Sequence, residues 1–333
     1  MAATGVRPFP ELHVVFGAGP LGLALARQLA GRGYSVRLVS RSGRAPAPPD
    51  AEVVAADAAD ASSASRAARG ARVVYHAVGA DYGRWRQVLP PIMDGILGAA
   101  AATGARLVYG DNLYAYGPVA GPLTENLPAA ASGPNGRLRA ELAAAVLAAH
   151  RAGRVPAAIG RAADFYGPHV RLSTVGERVF AALLAGQPAQ VIGNPDTPHT
   201  YTYIDDFARA LVTLGERAEA LGQVWHVPSA APLTTRQFVE LVAQEAGQAA
   251  RLRVAPSWAI RLLGLVHPTL RAVAEQLYQS ERSFIVDHTK FARAFGAEPT
   301  PHPEAIRQTL AWYRAVARER QQVMRQGAEQ ASV

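Results

Sequence analysis

Cysteine is missing from this 333-residue chain, which removes disulfides, thiolate nucleophiles and Cys-based zinc or iron–sulfur sites from consideration. Lysine is nearly missing: Lys290 stands alone, so the net charge of +8 is carried by arginines spread along the chain. A nucleic-acid partner is not indicated, because such sites gather their cations on one stripe. The nine histidines never take the spacing of a metal-binding helix, and no metal is expected. Long apolar runs are missing too. No stretch reaches the about eighteen residues of a membrane span, and Met1 to Glu11 lacks the apolar centre of a secretion signal. These absences lead to the expectation of a soluble, cytoplasmic protein with a small-molecule substrate and neither nucleic acid nor membrane as partner. The apolar stretch Leu262 to Leu270, interrupted by Gly264 and Pro268, is expected to be core or subunit contact rather than membrane surface.

What is present is an alternation. Short apolar strands are predicted at Leu12 to Phe16, Val36 to Val39, Ala51 to Val54, Arg72 to Ala77, Arg106 to Tyr109 and Ala157 to Arg161. Between them, helical periodicity runs over Leu21 to Arg32, Ala61 to Arg69, Val88 to Ala102 and Leu138 to Arg151. Alternating strands and helices pack as an α/β Rossmann fold, a doubly wound parallel sheet. The pattern assigns residues 1–165 to that domain and 166–330 mostly to a smaller, interleaved C-terminal substrate region. A strand at 224–229 and a capped helix at 234–247 are expected to return to the first domain.

Gly17-Ala18-Gly19-Pro20-Leu21-Gly22 lies between the first strand and the first helix, the context that makes G-x-G-x-x-G a dinucleotide turn. Gly17 permits the tight turn, Gly19 lets backbone approach a pyrophosphate, and Gly22 lets helix and strand pack closely. Pro20 and Leu21 open the helix whose N-terminus would receive the phosphate. An NAD site of this design has a carboxylate at the end of the second strand. Here that place reads Ser40-Arg41-Ser42-Gly43-Arg44, which suits a ribose phosphate better than a free hydroxyl pair. NADPH is therefore favoured over NAD, with Ser40 and Arg41 as contacts and Arg44 as contact or solvated bystander. Asp57 suits the adenine edge, and Ala77 and Val78 would lie along the cofactor.

Around these features the chain resembles an extended short-chain dehydrogenase/reductase of the NAD-dependent epimerase/dehydratase kind. The likeness covers nearly the whole sequence. Its landmarks are the glycine turn, Leu107-Val-Tyr-Gly-Asp-Asn-Leu-Tyr-Ala-Tyr-Gly117, Gly160-Arg-Ala-Ala-Asp-Phe-Tyr-Gly-Pro168 and Thr202-Tyr-Ile-Asp-Asp-Phe-Ala208. The resemblance implies a catalytic Ser or Thr, a Tyr and a Lys, and here those positions fall on Asn112, Gly133 and Arg137. Gly133 can donate no proton, so the tetrad is degenerate, as in an atypical subgroup of the superfamily. His199 stands where sugar-nucleotide enzymes carry an Arg for the diphosphate, and Asp164 where many carry an Asn that touches substrate. The resemblance also implies a homodimer through the helices at 88–102 and 138–151.

The candidates for chemistry follow from these gaps. Asn112 can polarise a carbonyl oxygen or merely cap its loop. Tyr114 and Tyr166 are candidate substitute acids ahead of Tyr116, each with a packing role as the alternative. His199 can donate a proton or hold a substrate anion, and Arg137 can hydrogen-bond a ribose. Asp205 and Asp206 are expected to stabilise a helix start. Three readings result: an NADPH-dependent reductase of a small carbonyl compound or activated alkene, a catalytically silent NADPH-binding protein, and an NAD-dependent sugar-nucleotide epimerase or dehydratase.

Overall fold

The computed structural model describes residues 11–296 and 298–331. Its chain alternates β1 (Leu12–Phe16), α1 (Pro20–Gly31), β2 (Ser35–Ser40), β3 (Ala51–Ala55), α2 (Ala61–Ala67), β4 (Ala71–His76), α3 (Trp85–Thr103), β5 (Arg106–Asn112), α4 (Pro134–Arg151) and β6 (Ala157–Ala162). There follow β7 (Asp164–Tyr166), α5 (Glu177–Leu184), β8 (Ala189–Ile192), β9 (Pro198–His199), β10 (Tyr201–Tyr203), α6 (Ile204–Glu216) and β11 (Val224–His226). The remainder comprises β12 (Leu233–Thr234), α7 (Thr235–Ala246), β13 (Leu252–Ala255), α8 (Ser257–Gly264), α9 (Pro268–Glu275), α10 (Tyr278–Glu281), α11 (Thr289–Phe295) and α12 (His302–Ala331).

Seven strands form one parallel sheet in the order β11-β6-β5-β4-β1-β2-β3. The predicted α/β Rossmann class is therefore observed. β1 lies between β2 and β4, with Val14 opposite Arg37 on one side and Val74 on the other. The direction of winding reverses there, and open α/β sheets bind ligands at the carboxyl ends of strands at such a point.

The chain divides into two compact units. The first holds the residues up to Asp111, Glu141–Gly160 and Ala208–Val224. Val14, Val15 and Phe16 are fully buried, as are Leu25 and Leu29 on the inner face of α1. His13 is the polar residue in β1; its Nδ1 meets the Tyr75 hydroxyl at 3.1 Å and its ring lies 4.2 Å from that of Tyr34. Burial pulls its pKa down to about 4. The end of α6 is fixed by Arg106, which donates to the carbonyls of Gly215 and Glu216, a cation placed on the negative end of a helix.

The second unit holds Asn112–Ala140, Arg161–Phe207 and the chain from Trp225 onward. It thus takes in a segment that the sequence pattern assigns to residues 1–165. The reason is backbone pairing: Leu123 donates to Ile285 O and accepts from Asp287 N, at 2.8 and 2.9 Å, so the loop after β5 is bound to the chain near 286. The helix expected over 234–247 forms as α7, closed at its start by a capping box between Thr234 and Gln237. It does not return to the first domain. It packs on α5 and α12 in the second unit, where Phe238 meets Tyr166, Tyr201 and Phe180.

Two glycines of α3 separate close packing from open space. A Cβ on Gly95 would lie 2.0 Å from the Ala58 carbonyl oxygen, whereas one on Gly98 would meet nothing within 4 Å. Gly95→Ala is expected to destabilise the fold by roughly 1–3 kcal/mol through overpacking. Gly98→Ala is expected to stabilise it by roughly 0.5–1 kcal/mol through helix propensity. Urea unfolding midpoints of the two variants should move in opposite directions.

Candidate functional site

In the first unit the glycine turn is built as its spacing requires. Gly17 has φ +109°, and a Cβ there would lie 2.6 Å from Ala77 O; a Cβ on Gly22 would lie 1.7 Å from Gly17 O. Neither position admits a side chain. Gly19 differs, since its Cβ direction is empty within 4 Å. It is the N-cap of α1, Pro20 follows at the first helical position, and no side chain caps the helix. The first-turn N–H groups therefore have no side-chain cap, an arrangement suited to an anion. Ala77 N donates to Phe16 O, and Val78 N to His76 Nδ1, which fixes this strand end beside Gly17.

At the end of β2, Ser40 Oγ donates to Arg44 O, while Arg41 and Arg44 are exposed and form no ion pair among the described residues. No carboxylate occurs in the run from Ser40 to Arg44. Asp57 is exposed, and its Oδ1 accepts from Ala59 N at 2.9 Å.

In the second unit Asn112 Oδ1 accepts from Tyr114 N at 3.1 Å. The side-chain oxygen is thereby used, and the amide nitrogen keeps its two donors. Tyr114 is buried. Tyr116 donates to His226 Nε2 at 2.8 Å, and His226 Nδ1 donates to Asp287 O at 3.0 Å. Tyr166 is likewise buried and donates to His302 Nδ1 at 3.1 Å, while His302 Nε2 donates to Ala231 O. Burial pushes the Tyr166 hydroxyl well above the ordinary phenol range, so this chain of contacts gives Tyr166 a packing role. Asp205 and Asp206 open α6 as expected, with Asp206 accepting from the backbone and hydroxyl of Thr300.

His199 and Asp164 form the least ordinary pair. His199 is buried between the rings of Tyr201 and Phe284, at 4.7 and 5.1 Å. Its Nδ1 faces Gln279 O at 3.2 Å, and a carbonyl only accepts, so Nδ1 carries a hydrogen. Nε2 lies 3.4 Å from Asp164 Oδ2, within ion-pair range though outside hydrogen-bond geometry. Burial alone would raise Asp164, but His199 and the Thr174 hydroxyl, 2.5 Å away, hold its carboxyl below the usual range.

Gly133 is occupied from outside. Glu275, from the end of α9, accepts from the backbone of Asn135 and Gly136 at 3.0 to 3.2 Å, and a Cβ on Gly133 would lie 2.1 Å from its Oε1. Its charge rests on the N-terminus of α4. Arg137 is exposed and donates to Ser132 O.

The sequence model of the NAD dependent epimerase/dehydratase family matches residues 13–227. The chain belongs to this family. Among solved structures with the same fold, an epimerase from Methanothermobacter thermautotrophicus is 18% identical, with a TM-score of 0.78 and 95% of each chain covered. A dTDP-glucose 4,6-dehydratase from Streptomyces venezuelae, solved as a double mutant with NAD and DAU bound, is 20% identical, with a TM-score of 0.74 over 91% of this chain and 97% of that one. The UDP-glucose 4-epimerase of Thermotoga maritima, solved with UDP-glucose, is 18% identical, with a TM-score of 0.76 over 92% and 99%. A search of curated proteins gives no significant match.

For a member of this family, two residues around the candidate site carry no sequence signal. Glu275 reaches α4 across 140 positions. Tyr278, three residues on, packs against the cluster of Leu113, Tyr116 and Phe284. Its hydroxyl is pushed up to about 12 by burial, with Glu275 and Asp164 adding to the rise.

His226 sets a pH dependence. It is fully buried, and desolvation holds its pKa near about 4 against an ordinary 6.5. Between those values the unfolded chain binds the proton and the folded one does not. The stability contribution is therefore complete above pH 6.5 and is lost as pH falls toward 4, by up to roughly 3 kcal/mol. Urea unfolding at a series of pH values should show this loss, with His13 adding to it, and His226→Asn should make the dependence shallower.

Proposed function

We propose that the chain is an NADPH-dependent reductase acting on a small, largely apolar carbonyl compound or activated alkene. The observation that carries the coenzyme half is a complete dinucleotide turn beside a strand end that bears Arg41 and Arg44 and no carboxylate. Gly17, Gly19, Pro20, Leu21 and Gly22 would hold the pyrophosphate at the start of α1. Ser40 and Arg41 would take the ribose phosphate, Asp57 the adenine edge, and Ala77 and Val78 the flank. The coenzyme, once bound, supplies a hydride.

The chain's own residues supply the rest. Asn112 keeps two N–H donors for a substrate oxygen because its Oδ1 is used by Tyr114. The proton for that oxygen is assigned to His199, ahead of Tyr114 and Tyr166, because its Nε2 has no hydrogen-bond partner and lies 3.4 Å from the Asp164 carboxylate, whereas the Tyr166 hydroxyl is tied to His302. Tyr201 and Phe284 against that ring support an apolar substrate. An ionised Asp164 disfavours one that carries phosphate.

The solved neighbours favour a second reading, epimerase or dehydratase action on a sugar nucleotide with NAD. That chemistry needs a base for a hydroxyl proton. Gly133 has none, and the Glu275 carboxylate beside it would have to serve.

Fluorescence titration is expected to show NADPH binding at least about tenfold more tightly than NADH, a preference that Arg41→Ala removes. Oxidation of NADPH should then appear with aldehydes, ketones, enones or imines. On the substrate found, Asn112→Ala and His199→Asn should each lower kcat by about 100-fold. Tight NADH binding with turnover of a nucleotide sugar would establish the second reading, and tight NADPH binding with no turnover a silent binder.

A further inference from the structure

Nine large hydrophobic side chains are strongly exposed among the described residues, and six of them, Val254, Trp258, Leu262, Leu263, Leu265 and Val266, fall within thirteen positions. The last is 83% exposed. Of the two expectations for the stretch from Leu262, core or subunit contact, the first is overturned at Leu262, Leu263, Leu265 and Val266. Exposed apolar side chains concentrated in one short segment mark an interaction site.

The segment is ordered by its own contacts. α8 and α9 pack on each other, and a Cβ on Gly264 would lie 3.1 Å from the Arg271 backbone, so the glycine sets their close approach. Arg271 donates to the carbonyls of Gly264 and Leu265 at 3.0 and 2.8 Å, which closes the turn between the helices. Arg261 is tied to Glu281 of α10 by two bonds of 2.7 Å, and α9 is tied to α4 through Glu275. Apolar side chains held outward by a braced turn are displayed, not left over from poor packing.

The charge of the segment is one-sided. From Arg251 to Ala274 there are four arginines and no acidic residue. Arg251 and Arg253 are exposed and form no ion pair among the described residues, and the bonds of Arg271 go to neutral carbonyls. A second copy docking here would bring a second set of these cations into the same interface. A surface that accepts Trp, Leu and Val while carrying negative charge is an anionic bilayer.

We propose that the α8–α9 hairpin, with the approach through β13, docks this protein on anionic phospholipid membrane, Trp258, Leu262, Leu265 and Val266 entering the headgroup region and Arg251 and Arg253 meeting lipid phosphate and carboxylate. No helix among the described residues is long and apolar enough to cross a membrane, so the attachment is peripheral. It is independent of the reaction catalysed.

The test is cosedimentation of the full chain with phosphatidylcholine vesicles made with and without phosphatidylserine. Binding is expected with phosphatidylserine, at least about tenfold weaker without it, and weakened again near about 1 M salt. Leu265→Glu with Val266→Glu should reduce binding at least about tenfold and leave the thermal midpoint unchanged, because both side chains are already in water. Arg251→Gln with Arg253→Gln should reduce it several-fold while keeping the apolar face. Failure of the unaltered protein to sediment with either vesicle overturns the proposal. So does binding indifferent to the glutamates, or a dimer in light scattering that the glutamates split, which would make the occupant a second copy.

Discussion

The carbonyl of Gly17 occupies the space where Gly22 would carry a side chain, 1.7 Å from the Cβ position. That contact brings α1 against the end of β1, and it leaves the first-turn amides of the helix with no side chain to receive them. Because β1 sits where the order of the parallel sheet reverses, these uncapped amides stand at the place where such sheets bind ligands. Gly17 closes the other side: its positive φ and its approach to Ala77 O set β4 beside the turn. One steric constraint, met by two missing side chains, thus sets both the turn and the start of the helix from backbone alone.

The second unit works by another principle. Its strands beyond the large sheet are two to four residues long and pair as β10 with β7, β12 with β9 and β13 with β8. Strands this short specify little by themselves, and side-chain hydrogen bonds between distant segments supply the rest. Tyr166 to His302, Tyr116 to His226, Asp206 to Thr300 and Glu275 to the start of α4 are four such ties. Each joins buried or half-buried polar groups that would be costly to leave unmade.

This difference explains what could be read in advance. The first unit was legible because its information is local: apolar runs for β1 to β6, helical periodicity between them, and three glycines at a fixed spacing. The strand expected at Ala157 to Arg161 and the helix at Leu138 to Arg151 appear within a few residues of those bounds. In the second unit the capping box announced α7 but not its neighbours, since packing on α5 and α12 depends on residues far off in sequence. Glu275 was invisible for the same reason, being an ordinary glutamate whose partner lies 140 positions away. The outward display of Leu262 to Val266 was hidden by composition, because an apolar stretch reads alike whether it faces a core or a surface.

Histidine shows how the remaining ambiguity narrows. His226 and His302 are buried, and each uses both ring nitrogens, one toward a tyrosine hydroxyl and one toward a carbonyl. Those rings are structural, and burial holds both below the ordinary imidazole range. His199 is buried as well, and its Nδ1 is satisfied in the same way, but its Nε2 meets a carboxylate without hydrogen-bond geometry. The sequence marks His199 and Asp164 only as departures from a family pattern; their spatial pairing makes the two departures one feature.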